Sequence, residues 1–405
     1  MTCWYLTGLL AALGFSFGFY LVKPAGGVAN QDREFLDAFT SQDGEWYKQI
    51  ATEGYRYDPN TRSNVAFFPV FPLLGRAVME VTGLPPEAAL LAVSNLSLLA
   101  ALAMLGLYTR ARYPDAPGDL AACVVLAAAL FPTGCFFRLA YSESTFLLLL
   151  LVAMYAMLRR WPLWSIALLV GLTTGARAVG VALLPPFAIH IFRRASAARH
   201  GGSPAAHRSI ARFLRDRVAP SLVYLPLACW GLLAFSACQS YAFGDPFAVF
   251  KAHGNWRILP VISWQEKALA LLTLEPIASV YENPSPAFWA SQDSQSIPWF
   301  SLQFANPLFF LAGVALVATG AWRRWLSFEE ASLAALMLLI PYTTRAYEMG
   351  MGSMGRFVAA VFPAHVVLGQ ALARLPASLG AALLAISAFF LATYAALYGA
   401  GYFIF

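Results

Sequence analysis

AFFPVFPLLGR, residues 66–76, decides how this chain is threaded. It is apolar enough to begin a membrane span, yet Pro69 and Pro72 stand near its start and Arg76 lies in its body. Reading residues 65–82 as a crossing, or as a helix lying in the interface, changes the side of everything that follows. The flanking chain carries many apolar runs of about 20 residues, the length a spanning helix needs. Candidate spans fall near 4–22, 87–109, 119–137, 140–158, 162–177, 178–192, 219–238, 302–321, 329–344, 357–373 and 377–400. With those eleven crossings, Arg110 with Arg112, Arg159 with Arg160, the cluster from Arg193 to Arg217, Arg323 with Arg324, and Arg374 all share one side. The basic bias of cytoplasmic loops makes that side the cytoplasm. A twelfth crossing at 65–82 would push several of these groups outside. The segment therefore reads as an interfacial or re-entrant helix, with the N-terminus cytoplasmic and the C-terminus outside. Residues 4–22 read as a span rather than a cleaved signal, because the run is long and lacks a basic leader.

Composition leads to the same class. The 405 residues are 59% apolar and 12% charged, where a soluble domain carries about 25% charged residues. Mean hydropathy is +0.61. The apolar runs are continuous rather than alternating, which excludes a membrane β-barrel. The expected fold is an all-α polytopic membrane protein of one integral domain, residues 1–405. The net charge of +6 does not suggest nucleic acid, because the basic residues gather at span ends.

This threading leaves two large segments on the outer face. The first outer loop, 23–86, holds interfacial helices and a concentration of acids: Asp32, Glu34, Asp37, Asp43, Glu45, Glu53 and Asp58. The second, 239–301, is rich in Trp, Pro and Asn. The basic cytoplasmic loop, 193–218, reads as a topogenic segment touching anionic headgroups. The polar chemistry therefore points outward. Cys123 with Cys135, and Cys229 with Cys238, lie within single expected helices, too far apart for disulfides. The five histidines show no ligand spacing, so no metal site is expected. No phosphate-binding glycine loop, dinucleotide fingerprint or Ser-His-Asp arrangement is present.

Within the first outer loop, QDGEWYKQIATEGY (residues 42–55) sets Asp43 ahead of a helix-period stripe of Trp46, Tyr47, Ile50, Ala51 and Tyr55. Such a helix lies in the interface with its aromatics down. Asp43 is either its N-cap, a reactive acid, or both. Charges near span ends are the second clue, since they are costly in a bilayer. Arg138 precedes Tyr141, Ser142 and Glu143; Arg177 sits between Gly175 and Gly180; Arg345, Glu348 and Arg356 flank the loop YEMGMGSMG. Arginines on an acidic outer face run against the charge bias. Snorkelling anchors are the plain reading of any one of them, and an anionic ligand such as a lipid phosphate explains the set.

The ordered motifs QDGEWYKQIATEGY, AFFPVFPLLGR, FPTGCFFRLAYSESTF, GARAVG, YAFGDPFAVF and SMGRFVAAVFP resemble the PIG-V family of mannosyltransferases, from about residue 41 to 365. That family belongs to the GT-C class of lipid-dependent glycosyltransferases. The resemblance implies a GT-C-type bundle of about eleven spanning helices, and a donor such as polyprenyl- or dolichyl-phosphate mannose. It implies an acceptor that is a glycan or glycolipid. The active site is then periplasmic in the inner membrane of a bacterium, or lumenal in the endoplasmic reticulum of a eukaryote. Asp43 matches the family's acid; Phe67, Phe68 and Pro69 its FFP segment; Tyr141, Ser142 and Glu143 its YSE; Arg177 and Arg356 its later arginines. One departure is Gln42, where the family usually has Trp.

Inverting transfer from a polyprenyl-phosphate sugar needs a general base for the acceptor hydroxyl. Phosphate leaves as a stable anion, so arginine can stand in for a general acid. Asp43 is the expected base. Arg356, Arg345, Arg177 and Arg138 are the expected phosphate ligands. Glu53, Asp58, Tyr141, Ser142, Glu143, Trp46, Tyr47, Phe68, Asp245 and Trp256 are expected to organise the acceptor or the loops. Neither a cofactor nor a metal is called for. The competing class is a lipid or solute transporter, which would want midplane ionisable groups and repeated halves; neither is evident.

Overall fold

The computed structural model describes residues 1–23, 34–116, 118–200, 219–288 and 300–402. Parts of three expected loops, 24–33, 201–218 and 289–299, lie outside the described residues. All regular structure among the described residues is helical. In chain order the α-helices are α1 (Thr2–Leu21), α2 (Phe35–Phe39), α3 (Asp43–Glu53), α4 (Val70–Thr82), α5 (Pro86–Arg112), α6 (Leu120–Ala129) and α7 (Glu143–Leu158). They continue as α8 (Leu163–Thr174), α9 (Leu184–His200), α10 (Tyr224–Leu227), α11 (Trp230–Phe243), α12 (Ala248–Gly254), α13 (Trp264–Leu272) and α14 (Glu275–Ala278). The last five are α15 (Leu302–Trp322), α16 (Phe328–Pro341), α17 (Met354–Ala359), α18 (Phe362–Leu372) and α19 (Ala377–Gly399).

Among the described residues, five helical stretches are long and apolar enough to cross a membrane, and seven if each of two bent pairs counts as one span. The chain is thus a polytopic α-helical membrane protein. The expected spans at 140–158, 162–177, 329–344 and 357–373 are not continuous helices of membrane length. Helix α7 has 16 residues and rises about 24 Å, short of the roughly 30 Å hydrocarbon core. The breaks have a common location. Helix α6 turns through 77° into the 3₁₀ segment Pro132–Arg138; α8 gives way to extended Arg177 and a second 3₁₀ segment, Ala178–Leu183. Helix α16 loosens into the π turn Tyr342–Ala346. Irregular backbone at membrane depth is tolerated where it is buried in protein or lines a cavity. Here the broken ends carry Glu143, Arg177, Arg345 and Arg356.

Residues 65–82 do not form one continuous helix. A short 3₁₀ turn, Asn64–Ala66, precedes α4, whose 13 residues are amphipathic and pack on α5. The stripe expected from residue 46 onward is α3, with Tyr47, Ile50 and Ala51 buried. Arg76 of α4 donates to the carbonyls of Ala51 (2.7 Å) and Thr52 (3.0 Å), tying the two helices together where α3 ends.

Among the described residues, the largest buried cluster is built around α5, α6, α7, α8, α16 and α18, a second lies between α1, α19 and the 3₁₀ segment 132–138, and two smaller ones gather Phe68 with Phe235 and Tyr47 with Phe71. Helices α1 and α19 run in the same direction and approach closely. A Cβ built on Gly18 would stand 1.8 Å from the Ala396 carbonyl oxygen, and one on Gly14 2.5 Å from that of Ala392. GFSFG, residues 14–18, is therefore a close-packing seam in which absent side chains let two backbones touch.

Candidate active site

Helix α3 points its first turn at the broken ends of the bundle. Gln42 precedes it at φ 58°, a left-handed conformation costly for a residue with a side chain, and its amide donates to the Tyr402 carbonyl (2.9 Å). Gln42 occupies the cap position without a side-chain cap hydrogen bond, and Asp43 is the first helical residue. Gly44 lets α3 approach the segment before α7: a Cβ there would lie 3.4 Å from the Tyr141 ring and 3.5 Å from the Ala140 carbonyl. One turn on, the Tyr47 hydroxyl meets that of Ser142 at 2.7 Å. Burial pushes the Tyr47 phenol up to about 12, so it remains a neutral hydrogen-bonding group.

The carboxylate of Asp43 is held by Arg356, with Nη1 at 2.5 Å from Oδ2. Arg356 also donates through Nε to Glu143. Glu143 accepts in addition from Arg177 Nη1 at 2.5 Å, and Arg177 reaches Ser142 Oγ at 3.1 Å. Four residues from α3, α7, α17 and the 174–178 break thus form one alternating chain, Asp43–Arg356–Glu143–Arg177. Glu143 and Arg356 are 2% and 6% exposed, Arg177 15%, and Asp43 21%. The graded exposure leaves Asp43 as the carboxylate most open to a ligand. Arg356 lies over the rings of Tyr141 (4.6 Å) and Phe136 (5.4 Å), which fixes its plane. Its backbone is pinned as well: Gly355 N donates to Asn306 (2.9 Å), and Thr133 donates to the Gly355 carbonyl (2.7 Å).

Arg345, on the π turn, contacts His253 Nδ1 at 3.4 Å and makes no ion pair among the described residues. Nearby Glu348 pairs with Lys267 at 2.5 Å. Burial pushes the His253 imidazole down to about 3, with Arg345 adding to the effect, so it stays neutral beside the arginine. Within the Asp43–Arg356–Glu143–Arg177 network two acids match two arginines, and Arg345 adds a further positive charge with no ion pair among the described residues. An anion arriving here meets a net cation.

The other expected residues fall in several places. Arg138 does not join this group. The bend at 132–138 turns it toward α1, where it donates to the Trp4 carbonyl (2.5 Å), Thr7 (2.9 Å) and Asn95 (3.1 Å). Arg177 does join Arg356: both hold Glu143. Glu53 is an exposed partner of Arg56 (2.9 Å). Asp58 accepts from Asn60 N within its own loop (2.8 Å), and Asp245 pairs with Lys251 (2.7 Å). All three brace surface chain, because their nearest cation or amide is a sequence neighbour. Phe68 turns into the core against Phe235 (5.3 Å). It is Phe67 that faces the site, with Trp46 (6.1 Å), Tyr47 (5.1 Å) and Trp256 (5.6 Å). Gly355 packs closely, since a Cβ there would come within 2.8 Å of the Phe309 ring. Tyr398 and His253 were not singled out by sequence. Tyr398 reaches the Ser41 carbonyl (2.8 Å) and Tyr141 (3.2 Å) from near the end of the last helix, and no local signal marks it. Among the described residues, no three His, Cys, Asp or Glu side chains converge as a metal site.

The fold and this cluster define the class: a helical membrane protein with a carboxylate–arginine chain at the broken ends of its bundle. No protein-family model matches the sequence, and neither does any curated protein. The fold is similar to that of ArnT from Cupriavidus metallidurans bound to undecaprenyl phosphate, at 16% identity and TM-score 0.48, over 94% of this chain and 62% of that one. It is also similar to the Archaeoglobus fulgidus oligosaccharyltransferase in its apo form, at 14% identity and TM-score 0.45, over 99% and 56%. The same oligosaccharyltransferase in complex with Zn and sulfate gives 13%, 0.44, 98% and 53%. The chain spans a little over half the length of these proteins.

Proposed function

We propose that this protein is an inverting glycosyltransferase that moves a sugar, mannose by its motif resemblance, from a polyprenyl-phosphate donor to a hydroxyl of a lipid-linked or glycan acceptor. The site lies on the outer face of the membrane in this reading. The observation that carries it is Asp43: a partly open carboxylate held by a buried arginine, with a surplus cation, Arg345, close by. Donor phosphate binds Arg345 and competes for Arg356, whose planar fork suits phosphate. As Arg356 turns to phosphate, Asp43 is released from its ion pair and becomes a base. The acceptor oxygen then bonds to the anomeric carbon while the carbon–oxygen bond to phosphate breaks. Its electron pair stays on the phosphate, and the acceptor proton passes to Asp43. Charge gained by the phosphate is met by the arginines in the transition state. Glu143 positions Arg356 and Arg177 and touches neither reacting atom. Trp46, Phe67 and Trp256 form an aromatic wall beside Asp43 that suits the apolar face of a sugar.

The test is transfer from polyprenyl-phosphate [¹⁴C]mannose in proteoliposomes supplied with a membrane glycolipid extract as acceptor. Asp43→Asn keeps shape and hydrogen bonding but removes basicity, so turnover is expected to fall by about 10²–10⁴ with donor binding retained. Near-normal transfer by Asp43→Asn overturns the assignment.

A further inference from the structure

A cavity lies at the other end of the bundle. Helix α7 starts at Glu143 in the candidate active site, and its last turn, Met154 to Leu158, lines a cavity of about 400 Å³. The rise along the helix puts the two roughly 20 Å apart. Tyr108 and Arg112 of α5, Arg160 after α7, His190, Arg193 and Arg194 of α9, and Ser327 and Glu329 at the start of α16 complete the wall.

The charges there are not balanced. Arg193 pairs with Glu329 (2.9 Å), and Arg112 with the buried Glu330 (3.3 Å), which also accepts from Tyr108 (2.6 Å). Arg160 and Arg194 make no ion pair among the described residues. Arg194 donates to the Trp161 carbonyl (2.6 Å), which holds its guanidinium at the rim. Among the described residues, four arginines against two carboxylates leave two positive charges around this cavity. His190 is 9% exposed, and its Nε2 has no hydrogen-bond partner among the described residues. A buried polar nitrogen without a partner costs free energy that a ligand oxygen can recover. Surface arginines that only fix membrane orientation need neither a cavity nor a buried imidazole.

We propose that this cavity binds a phosphate-bearing anion, with Arg160 and Arg194 as charge partners and His190 as the buried hydrogen-bonding group. Phosphate presents several strong acceptors at the spacing of the guanidinium fork. The volume falls within the range of about 300–1,000 Å³ seen for ligand sites. Two sources offer this chemistry: the headgroup of an anionic phospholipid, and a soluble phosphate or phosphoester.

The experiment uses the full chain in phosphatidylcholine nanodiscs. In one arm, inorganic phosphate is titrated against chloride of equal ionic strength, and thermal stability is read. In the other, phosphatidylglycerol is added to the nanodiscs, and retained lipid is read by native mass spectrometry. The variants are Arg160→Asn and His190→Gln. Arg160 stands at φ 55°, a conformation asparagine accepts, and its exposed side chain leaves the core untouched. His190→Gln tests the buried position separately. Wild type is expected to bind in at least one arm, with each variant weakened by about tenfold. Protection by phosphate alone assigns a soluble anion; retention of phosphatidylglycerol alone assigns a headgroup. The proposal fails if wild type binds neither, or if Arg160→Asn, monodisperse and as stable as wild type, binds both as wild type does.

Discussion

Glu143 and Asp43 are both carboxylates on Arg356, yet their burial assigns them different work. Removing the charge of Glu143 leaves Arg177 and Arg356 facing each other without their shared anion, in a site almost closed to water. Breaking one side of a buried ion pair costs about 3–5 kcal/mol. Glu143→Gln is therefore expected to lower thermal stability strongly, whereas Asp43→Asn is expected to lower turnover with a small effect on unfolding. Thermal melts of both variants in one detergent separate the two roles, and equal melting temperatures would place Glu143 outside the supporting network. Arg356→Lys and Arg177→Lys belong to the same argument. Each lysine would lose the guanidinium geometry that reaches Glu143 Oε1 and a second partner, Asp43 for Arg356 and Ser142 for Arg177, so each is expected to reduce kcat/KM for donor. Because they share a partner, the double variant is expected to depart from additivity by about 0.5–3 kcal/mol. A double-mutant cycle on donor kinetics measures this, and strict additivity would mean the two arginines act independently.

Individual helices are specified by their apolar runs, but their ends are not. The α1–α19 pair shows what an element can do at a distance. Tyr398, in the last turn of α19, supports Ser41 and Tyr141 directly beneath α3, so the seating of α19 on α1 bears on Asp43. Gly18→Val places a branched side chain where a Cβ already collides with the Ala396 backbone. Overpacking of this kind costs about 1–3 kcal/mol and more where backbone must move. The variant is expected to melt several degrees lower and to lose transfer activity. Gly254→Ala, where nothing lies within 4 Å of the added Cβ, is the matched control and is expected to stay within about 0.5 kcal/mol of wild type.

At the scale of the whole molecule, pH acts through groups whose protonation differs between the folded and unfolded chain. His253 is pushed from its ordinary 6.5 to about 3 in the fold. Below pH 6.5 the unfolded chain takes up a proton that the folded chain refuses. Stability from this residue is thus complete above pH 6.5 and is lost as pH falls toward 3. Wild type is expected to lose melting temperature more steeply between pH 6.5 and 4.5 than His253→Gln. Parallel curves for the two proteins would remove His253 from the account. The whole-molecule arrangement also gathers Arg112, Arg160, Arg193 and Arg194 around one cavity, although they come from three separate stretches of sequence.

By itself, the sequence determined the class and most helix positions, because hydrophobic length and helical period are local properties that survive in one dimension, and it singled out Asp43 as the candidate acid. It also marked residues 65–82 as unlike a span, through two prolines and an arginine in an apolar run. It could not tell Arg138 from Arg177, since each is an arginine near an apolar helix end; only the direction of the bend at 132–138 sends one toward α1 and leaves the other on Glu143. The choice of Phe67 over Phe68 is likewise tertiary, because adjacent aromatics differ only in which way the turn before α4 faces them. Tyr398 lies more than 350 residues from Asp43 in sequence. Its place beneath the site is decided by backbone contact between α1 and α19, where glycine matters for the atoms it lacks.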